Sequence, residues 1–419
     1  MLLEGKKIVV GVTGSIAIYK SLELIRLFIK EGAEVRVVMS QSAKRFINPL
    51  TFEAISTHEV LCEKTESWAN DNNHIDIGKW ADLYVIAPAT ANTINKLSNG
   101  IADNLITQIA LAFKGEILLA PAANTNMYLN NTTKASLKML KILNFQEIVP
   151  QKKQLACGDE GIGALAEPKE IFHKSAKMLL KDPYWINRRV VVTGGGTVEK
   201  IDDVRYISNF SSGKMAASLS KALYYKGADV CLLATQKISD IPGEVYLIDV
   251  ENSKELKEYL VDAIRVAKKG VLTKATLMDD SVPELIQKKP YLFMSAAVSD
   301  FVPKYPQEGK IKKDTIGDVW NLELVKNEDI LSSVSKEGIF SIGFKAESDS
   351  EKGLDNATNM LAKKDLDGVC YNNISKNPFG SDENEITLIT KSGQYPLAKA
   401  DKLHVSLNLL DKLAQLDAT

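Results

Sequence analysis

The chain begins twice. Lys7-Ile8-Val9-Val10-Gly11-Val12-Thr13-Gly14 is a short β-branched run that breaks into a glycine turn, and Arg189-Val190-Val191-Val192-Thr193-Gly194-Gly195-Gly196 repeats the pattern much later. Each is followed by a helix-like segment that closes on a near-copy, Glu31-Gly32-Ala33-Glu34-Val35 in the first half and Lys226-Gly227-Ala228-Asp229-Val230 in the second. A buried strand, a glycine turn and a helix start together make a site for a phosphate group. Two such starts point to two α/β units with two nucleotide-type sites.

A chain of 419 residues is long enough for two or three domains, each with its own core. With 45% hydrophobic and 25% charged residues its composition is that of a globular protein, and a net charge of -1 gives no field for a polyanion, so nucleic acid is a poor partner. The four cysteines (Cys62, Cys157, Cys231, Cys370) lie far apart with no CxxC pair, which fits a reducing cytoplasm rather than a disulfide framework or a zinc site. No apolar run reaches the roughly 18 residues of a membrane span.

Both halves alternate strand and helix. Ile8–Val12, Val35–Met39, Leu83–Pro88 and Ile117–Pro121 read as strands, with Leu22, Ile25, Phe28 and Ile29 at helical spacing between the first two and Gly32 at the helix C-cap. Near-continuous apolar strands separated by helices imply a parallel sheet covered on both faces, with polar residues after each strand at the ligand-binding edge. The second half offers strands at Val190–Thr193, Val230–Ala234 and Tyr291–Ala297, a helix over Lys214–Lys226, and a hairpin beginning at Glu385–Thr390. The boundary falls at Lys181-Asp182-Pro183-Tyr184. The lysine-rich stretch Ala267–Pro290 reads as a surface excursion.

A dinucleotide site needs an acidic residue at the end of the second strand, and neither half has one: the first ends Met39-Ser40-Gln41-Ser42, the second Ala234-Thr235-Gln236. NAD is disfavoured at both sites. Thr13, Ser15, Ser40 and Ser42 instead offer hydroxyls to a phosphate monoester such as that of FMN, or are ordinary turn residues. Three further groups stand out in the first half. The imidazole of a histidine changes charge near neutral pH, which makes His74 a candidate base, or a structural histidine. Asn124 ends a strand, where an amide binds a carboxylate or caps the next turn. Cys157 lies in the glycine-rich Ala156-Cys157-Gly158-Asp159-Glu160-Gly161-Ile162-Gly163, whereas Cys231, between Val230 and Leu232, is a packing residue.

Together these residues resemble the flavin-dependent cysteine decarboxylases. Gly11 to Ala17 is similar to that family's FMN-phosphate turn. Pro88-Ala89-Thr90-Ala91-Asn92-Thr93-Ile94 with Lys96, Gly100, Asp103, Asn104 and Leu105 resembles its flavin and active-site signature. His74 matches its catalytic histidine, Asn124 the asparagine of PxMNxxM, and Cys157 the cysteine of ACGD, over nearly all of residues 5–180; Ala123 stands where the family usually has Met. The resemblance implies FMN held by Gly14, Ser15, Ile16, Ser40, Pro88, Ala89, Thr90, Ala91 and Asn92. It also implies oxidation of 4'-phosphopantothenoylcysteine to a thioaldehyde followed by loss of CO2. His74 is then the base, Asn124 the carboxylate holder and Cys157 the proton donor to the enethiol.

The second half has a different signature. Arg205-Tyr206-Ile207-Ser208-Asn209-Phe210-Ser211-Ser212-Gly213-Lys214-Met215 places cation, amide and hydroxyl donors before a helix, and a second set follows the Tyr291 strand: Asp300, a residue type that binds Mg2+, and Lys310-Ile311-Lys312-Lys313. Taken alone, these are a serine-capped helix and a solvated lysine run. Together they resemble phosphopantothenate–cysteine ligase: RYISNxSSGKMG, AAVAD at Ala296–Asp300, KIKK at Lys310, NPDI at Asn327-Glu328-Asp329-Ile330 and VGFAAE at Ile342–Glu347. The resemblance implies CTP-dependent activation of 4'-phosphopantothenate as an acyl-cytidylate, which the amine of cysteine attacks. Asp300, Lys310, Asn327, Glu328, Asp329, Ile330, Phe344 and Lys364 are then the nucleotide residues. Lys310 also neutralises charge during acyl-cytidylate formation, and Asn209 and Arg205 serve the second half-reaction. Departures are Gly196 for the usual Pro, Met360 for a nucleotide-binding lysine, and Tyr371-Asn372-Asn373 for Ala-Asn-Asp.

The expected fold is α/β: two consecutive Rossmann-like domains with mainly parallel sheets, an N-terminal flavodoxin-like flavoprotein domain (1–185, decarboxylase) and a C-terminal nucleotide-binding ligase domain (186–419). FMN and Mg2+ are the expected cofactors, with the metal ligands left open. By resemblance the chain is a cytoplasmic homo-oligomer built on trimeric flavin domains and dimeric ligase domains. The alternative is a non-catalytic flavin-binding regulatory subunit; a flavin prenyltransferase-like protein would account for the first turn only.

Overall fold

In the computed structural model the apolar runs are the inner strands of two parallel sheets. The structure describes all residues except 70–71, 236–237, 274–282, 313–316, 349–351, 379 and 418–419. Two compact units result, Met1–Leu180 with Thr273–Glu284, and Lys181–Leu272 with Leu285–Thr419.

In the first unit Lys7–Val12, Glu34–Met39, Leu83–Ala89, Ile117–Pro121 and Phe145–Glu147 pair in parallel and, numbered along the chain, lie in the order 2-1-3-4-5. That is the flavodoxin-like order, whose winding reverses between the first and third strands. The helix Tyr19–Lys30 buries Leu24, Ile25 and Phe28 and ends just before Gly32, whose φ of 92° suits glycine. Elsewhere in the core Val9, Ile86 and Leu119 meet Ile94, Ile106 and Leu137. Each such side chain stabilises the fold by roughly 1.5–3 kcal/mol, so the helices lock the strand order. Gly11 is part of this packing and not of the turn. It lies within the first strand, and a Cβ there would stand 2.7 Å from the hydroxyl of the buried Tyr84, which donates to Ile106 O at 3.0 Å.

In the second unit Arg189–Gly194, Asp229–Ala234, Tyr246–Asp249, Tyr291–Met294, Phe340–Glu347 and Gly368–Asn373 run parallel in the order 3-2-1-4-5-6. The expected hairpin, Glu383–Thr390 with Gly393–Asp401, adds two antiparallel strands at one edge. This is the dinucleotide-fold order with its reversal between the first and fourth strands. The strand expected over Tyr291–Ala297 stops at Met294. Beyond it Ser295 Oγ donates to Thr193 O at 2.5 Å and Ala296 N donates to Thr193 Oγ1 at 3.2 Å, and the chain runs on in parallel beside the loop after the first strand, with Ala297 bridged to Gly196.

The Ala267–Pro290 stretch is corrected in part. Its middle, 274–282, lies outside the described residues, but its flanks are structured: Val271–Leu272 pairs with Leu285–Ile286. Lys288 is not a solvated lysine. Its Nζ donates to the carbonyls of Pro183, Tyr184 and Ile186 at 2.6, 3.2 and 2.8 Å, and Arg188 donates to Lys289 O at 2.7 Å. Three main-chain acceptors thus converge on one cation. Lys288→Met is expected to lower the melting temperature of this unit through a loss of about 1–3 kcal/mol, read by calorimetry; an unchanged transition would return Lys288 to the solvated surface.

Candidate functional site

At the first reversal a threonine ties two loops together. Thr13 Oγ1 donates to Pro88 O at 2.6 Å and accepts from Thr90 N at 3.1 Å. Thr13 is buried and so is not one of the hydroxyls free for a phosphate, which corrects the expectation. Gly14 lies directly on the Ser40–Ser42 loop: a Cβ there would stand 2.6 Å from Ser42 Cβ and Oγ. Ser40 and Ser42 hydroxyls are 3.1 Å apart, and Ser15 Oγ accepts from Ala17 N, leaving its own proton to donate. Thr90 caps the helix Ala91–Ser98 by accepting from Thr93 N, with Pro88, Ala89 and Ala91 buried and Asn92 and Ile16 exposed. The loops holding Gly14–Ile16, Ser40 and Pro88–Asn92 therefore share one sheet edge. A glycine cradle that a Cβ would fill, flanked by serine hydroxyls, fits the phosphate of FMN.

Asn124 and Cys157 meet. Asn124 Oδ1 accepts from Asn126 N at 2.9 Å, capping Thr125–Leu129, and its Nδ2 lies 3.4 Å from Cys157 Sγ. The cap fixes the amide so that the nitrogen, a pure donor, faces outward; capping and presentation of a donor are one arrangement. Cys157 is exposed at the tip of the hairpin Gln151–Gln154/Glu160–Ala164, with Sγ 3.4 Å from Asp159 Oδ2. Glycines seat this hairpin. A Cβ on Gly161 would run into Thr125 Oγ1, one on Gly163 into Ala123 O, and Ala123 N donates to Gly163 O at 2.9 Å.

His74 opens the helix His74–Trp80, capped by Asn73. Its Nδ1 is 2.8 Å from Glu66 Oε1 and its ring packs edge-on to Trp68 at 5.6 Å. A carboxylate at Nδ1 holds the proton there and leaves Nε2 as the acceptor. Glu66 was not singled out in the sequence; eight residues upstream in a polar loop, it carries no pattern that would pair it with the histidine. Among the described residues no hydrogen bond joins His74 to Asn124 or Cys157.

The second reversal opens a cleft of about 700 Å³. It is lined by Asn209, Asp300, Asn327, Glu328, Asp329, Ile330, Phe344 and Lys364 among the expected residues. Thr193 repeats the part of Thr13, and the loop after it continues the tie: Ala297 N donates to Gly195 O (2.8 Å) and Ser299 N to Thr197 Oγ1 (3.1 Å). Asn209 Nδ2 donates to Val298 O and Asn327 Nδ2 to Ser299 O, at 2.9 and 2.8 Å. Gly196, the departure from Pro, allows Asn209 to approach, since a Cβ there would meet Asn209 O. Asp329 caps Ile330–Ser333 and pairs with Lys364 Nζ at 2.8 Å; burial acts to raise its carboxyl pKa, but Lys364 and Ser332 outweigh it and hold it low. Glu328 is paired with Lys257, which holds its pKa down. Sequence reading missed Lys345, which lies inside the quoted Ile342–Glu347 stretch, and Asn384 and Lys402, which come from separated elements without a shared motif; all three also line the cleft.

Arg205 and Lys310 do not line this cleft. Arg205 donates to the buried Asp202 carboxylate at 2.7 Å and lies 5.2 Å from the Trp320 ring; Asp202 also accepts from the main chain of Val204, Arg205 and Ile311. Asp202 therefore pins the loop carrying the exposed Lys310 beside Arg205. Lys313 of the same run lies outside the described residues. Among the described residues there is no group of three or more potential metal ligands, and no helix is long and apolar enough to cross a membrane.

Two parallel-sheet units, each with a polar site at its reversal, make this a two-site α/β protein of the nucleotide-binding class. Residues 2–180 match the Flavoprotein family, and residues 185–277 and 262–416 match the DNA/pantothenate metabolism flavoprotein C-terminal domain. The coenzyme A biosynthesis bifunctional protein CoaBC of Haemophilus influenzae is 37% identical over 420 residues, 99% of this chain and 98% of that one. Its Bacillus subtilis namesake is 35% identical over 428 residues, with the same shares. Among solved structures, the FMN binding protein AtHal3 is 36% identical over 41% of this chain and 94% of its own, with a TM-score of 0.37. The chain belongs to the family of coenzyme A biosynthesis bifunctional proteins.

Two outcomes test the geometry. Gly163 has φ 143° and no room for a Cβ, so Gly163→Ala is expected to cost about 1–3 kcal/mol in thermal denaturation; wild-type stability would mean the hairpin is not seated by this contact. At Asp202 burial acts to raise the carboxyl pKa, but the main-chain donors and Arg205 outweigh it and hold it below the usual range. Its contribution to stability is thus present above an unfolded pKa of about 3.9 and lost as pH falls through the lower folded value. Asp202→Asn is expected to lower stability at neutral pH and to flatten the acid limb of a stability–pH curve; an acid limb identical to wild type would contradict the assignment.

Proposed function

We propose that this chain catalyses two successive steps of coenzyme A biosynthesis, CTP-dependent ligation of cysteine to 4'-phosphopantothenate in the second unit and decarboxylation of the 4'-phosphopantothenoylcysteine product in the first. The observation that carries this is the coexistence of two separately built sites on one chain whose relatives match it over nearly full length. The product of one step is the substrate of the other, which gives the fusion its chemical logic.

In the first unit the edge formed by Gly14–Ile16, Ser40 and Pro88–Asn92 would hold FMN, which when bound would accept an electron pair from the substrate and return it after CO2 has left. His74 Nε2 takes a proton from the substrate, with Glu66 keeping Nδ1 protonated and stabilising the cation that forms. Asn124 Nδ2 donates to the substrate carboxylate. Cys157 Sγ, beside that amide, delivers a proton once CO2 has left. In the second unit Asp300, Asn327–Ile330, Phe344 and Lys364 hold the nucleotide. Asp300 is of a residue type that binds Mg2+, and the ion would be held chiefly by nucleotide phosphates and water, the usual arrangement for it. Lys310 offsets charge as the acyl-cytidylate forms, and Asn209 and Arg205 serve its capture by cysteine. The domain boundary, expected at 185/186 and falling at Lys181 in the structure, separates the two activities. The free cysteines fit a cytoplasmic enzyme, and we propose a homo-oligomer.

Purified protein incubated with 4'-phosphopantothenate, cysteine, CTP and Mg2+ is expected to release pyrophosphate and CO2 and to show a bound-flavin spectrum. Flavin binding with neither product would favour the regulatory-subunit alternative. Cys157→Ser is expected to stall CO2 release and leave pyrophosphate release intact; an equal fall in both would overturn the two-site assignment. Glu66→Gln is expected to lower the decarboxylation kcat by about 10²-fold with the flavin spectrum retained, and an unchanged kcat would remove Glu66 from the site.

A further inference from the structure

The cleft of the second unit has a basic end that the nucleotide residues do not account for. Its far wall is built by the last two strands and the final helix, which bring Gly380, Glu383, Asn384 and Lys402 into the lining. Lys402 opens the helix Lys402–Asp417, and its main-chain N–H donates to Asp382 O at 3.0 Å. The carboxylate beside it is already engaged: Lys214 Nζ donates to Asp382 Oδ1 and to Gly380 O, both at 2.7 Å. The Asp382 carboxylate is thus taken by Lys214, and among the described residues the half-buried Lys402 ammonium has no hydrogen-bond acceptor. Burial above all, and then the charge of Lys214, hold its pKa below the usual lysine range. The helix Lys214–Tyr225 starts at the same end, behind Gly213 at φ 65°, with no side-chain cap on its first N–H groups. A partly desolvated cation with no direct acceptor is costly, and an anion entering the cleft offsets that cost.

We infer that Lys402, with Lys214 behind it, is a phosphate-binding cation of this cleft and receives a phosphate group from one of the two anionic ligase substrates. This rests on the ligase reading above. A triphosphate and a phosphate monoester offer the same chemistry, so the test separates them.

Full-length wild type, Lys402→Ala and Lys402→Arg are compared by pyrophosphate release, with CTP and 4'-phosphopantothenate titrated in turn. Lys402→Ala is expected to raise the KM of one substrate by about 10- to 100-fold, with kcat within a few-fold, and Lys402→Arg to recover most of the loss. A rise confined to CTP assigns the triphosphate; a rise confined to 4'-phosphopantothenate assigns the monoester. Wild-type KM values for both substrates in Lys402→Ala overturn the proposal. Thermal denaturation of each variant separates lost binding from lost folding. Calorimetric binding of CTP and of 4'-phosphopantothenate reads the same contact without turnover. A protein that fails to ligate but binds either ligand more weakly as Lys402→Ala loses the ligase reading and keeps the phosphate contact. Equal binding of both ligands by wild type and variant removes the contact, whatever happens to ligation.

Discussion

A buried threonine at the end of the first strand holds each unit's site in place. Where a parallel sheet reverses its winding, the loops after the two central strands diverge, and the regular main-chain ladder gives way to a few hydrogen bonds, among them Thr13 N to Pro88 O and Ala297 N to Gly195 O. Thr13 spans that gap to Pro88 O and Thr90 N, and Thr193 spans its own to the main chain of Ala296. Being buried, these hydroxyls must find partners, and the partners they find are the loops that carry chemistry. The position of the loop Pro88–Asn92 in one unit, and of the loop carrying Asp300 in the other, follows from the same tie.

What differs between the units is what is packed on that frame. In the first, the glycines at 161 and 163 let a hairpin lie against the Ala123–Thr125 turn, so the thiol of Cys157 reaches the Asn124 amide. A larger residue at either position would push the hairpin away and separate the two groups. In the second, the antiparallel hairpin Glu383–Asp401 extends the sheet and the final helix returns beside it, which brings Glu383, Asn384 and Lys402 to the far end of the cleft. Carboxylates at the near end are matched by lysines, Asp329 by Lys364 and Glu328 by Lys257.

Much of the fold was legible along the chain, because inner strands of a covered parallel sheet are continuous apolar runs and glycine turns punctuate them. The strands at Tyr246–Asp249 and Gly368–Asn373 were harder to see: the first is largely exposed, and the second carries Asn372 and Asn373 where an apolar run would be expected. The candidate residues of the sites were legible as local motifs. Their partners were not. Glu66 precedes His74 by eight residues with no periodicity to link them, and Lys288 reads as one more lysine in a basic stretch until three carbonyls converge on it.

The sequence by itself determined the two strand–glycine–helix starts, the absence of a ribose-binding acid after either second strand, and the separate signatures that follow each start, since these depend on residue type and spacing alone. Only the tertiary structure decided which residues of those motifs stay open at the sheet edge and which are taken up by packing. Gly11 and Thr13 belong to the same turn motif as Gly14 and Ser15, yet Gly11 makes room for Tyr84 and Thr13 is consumed by Pro88 and Thr90. A side chain's partners are set by which distant segments the strand order brings beside it, and that order is fixed by burial across the whole sheet, not by any one stretch of chain.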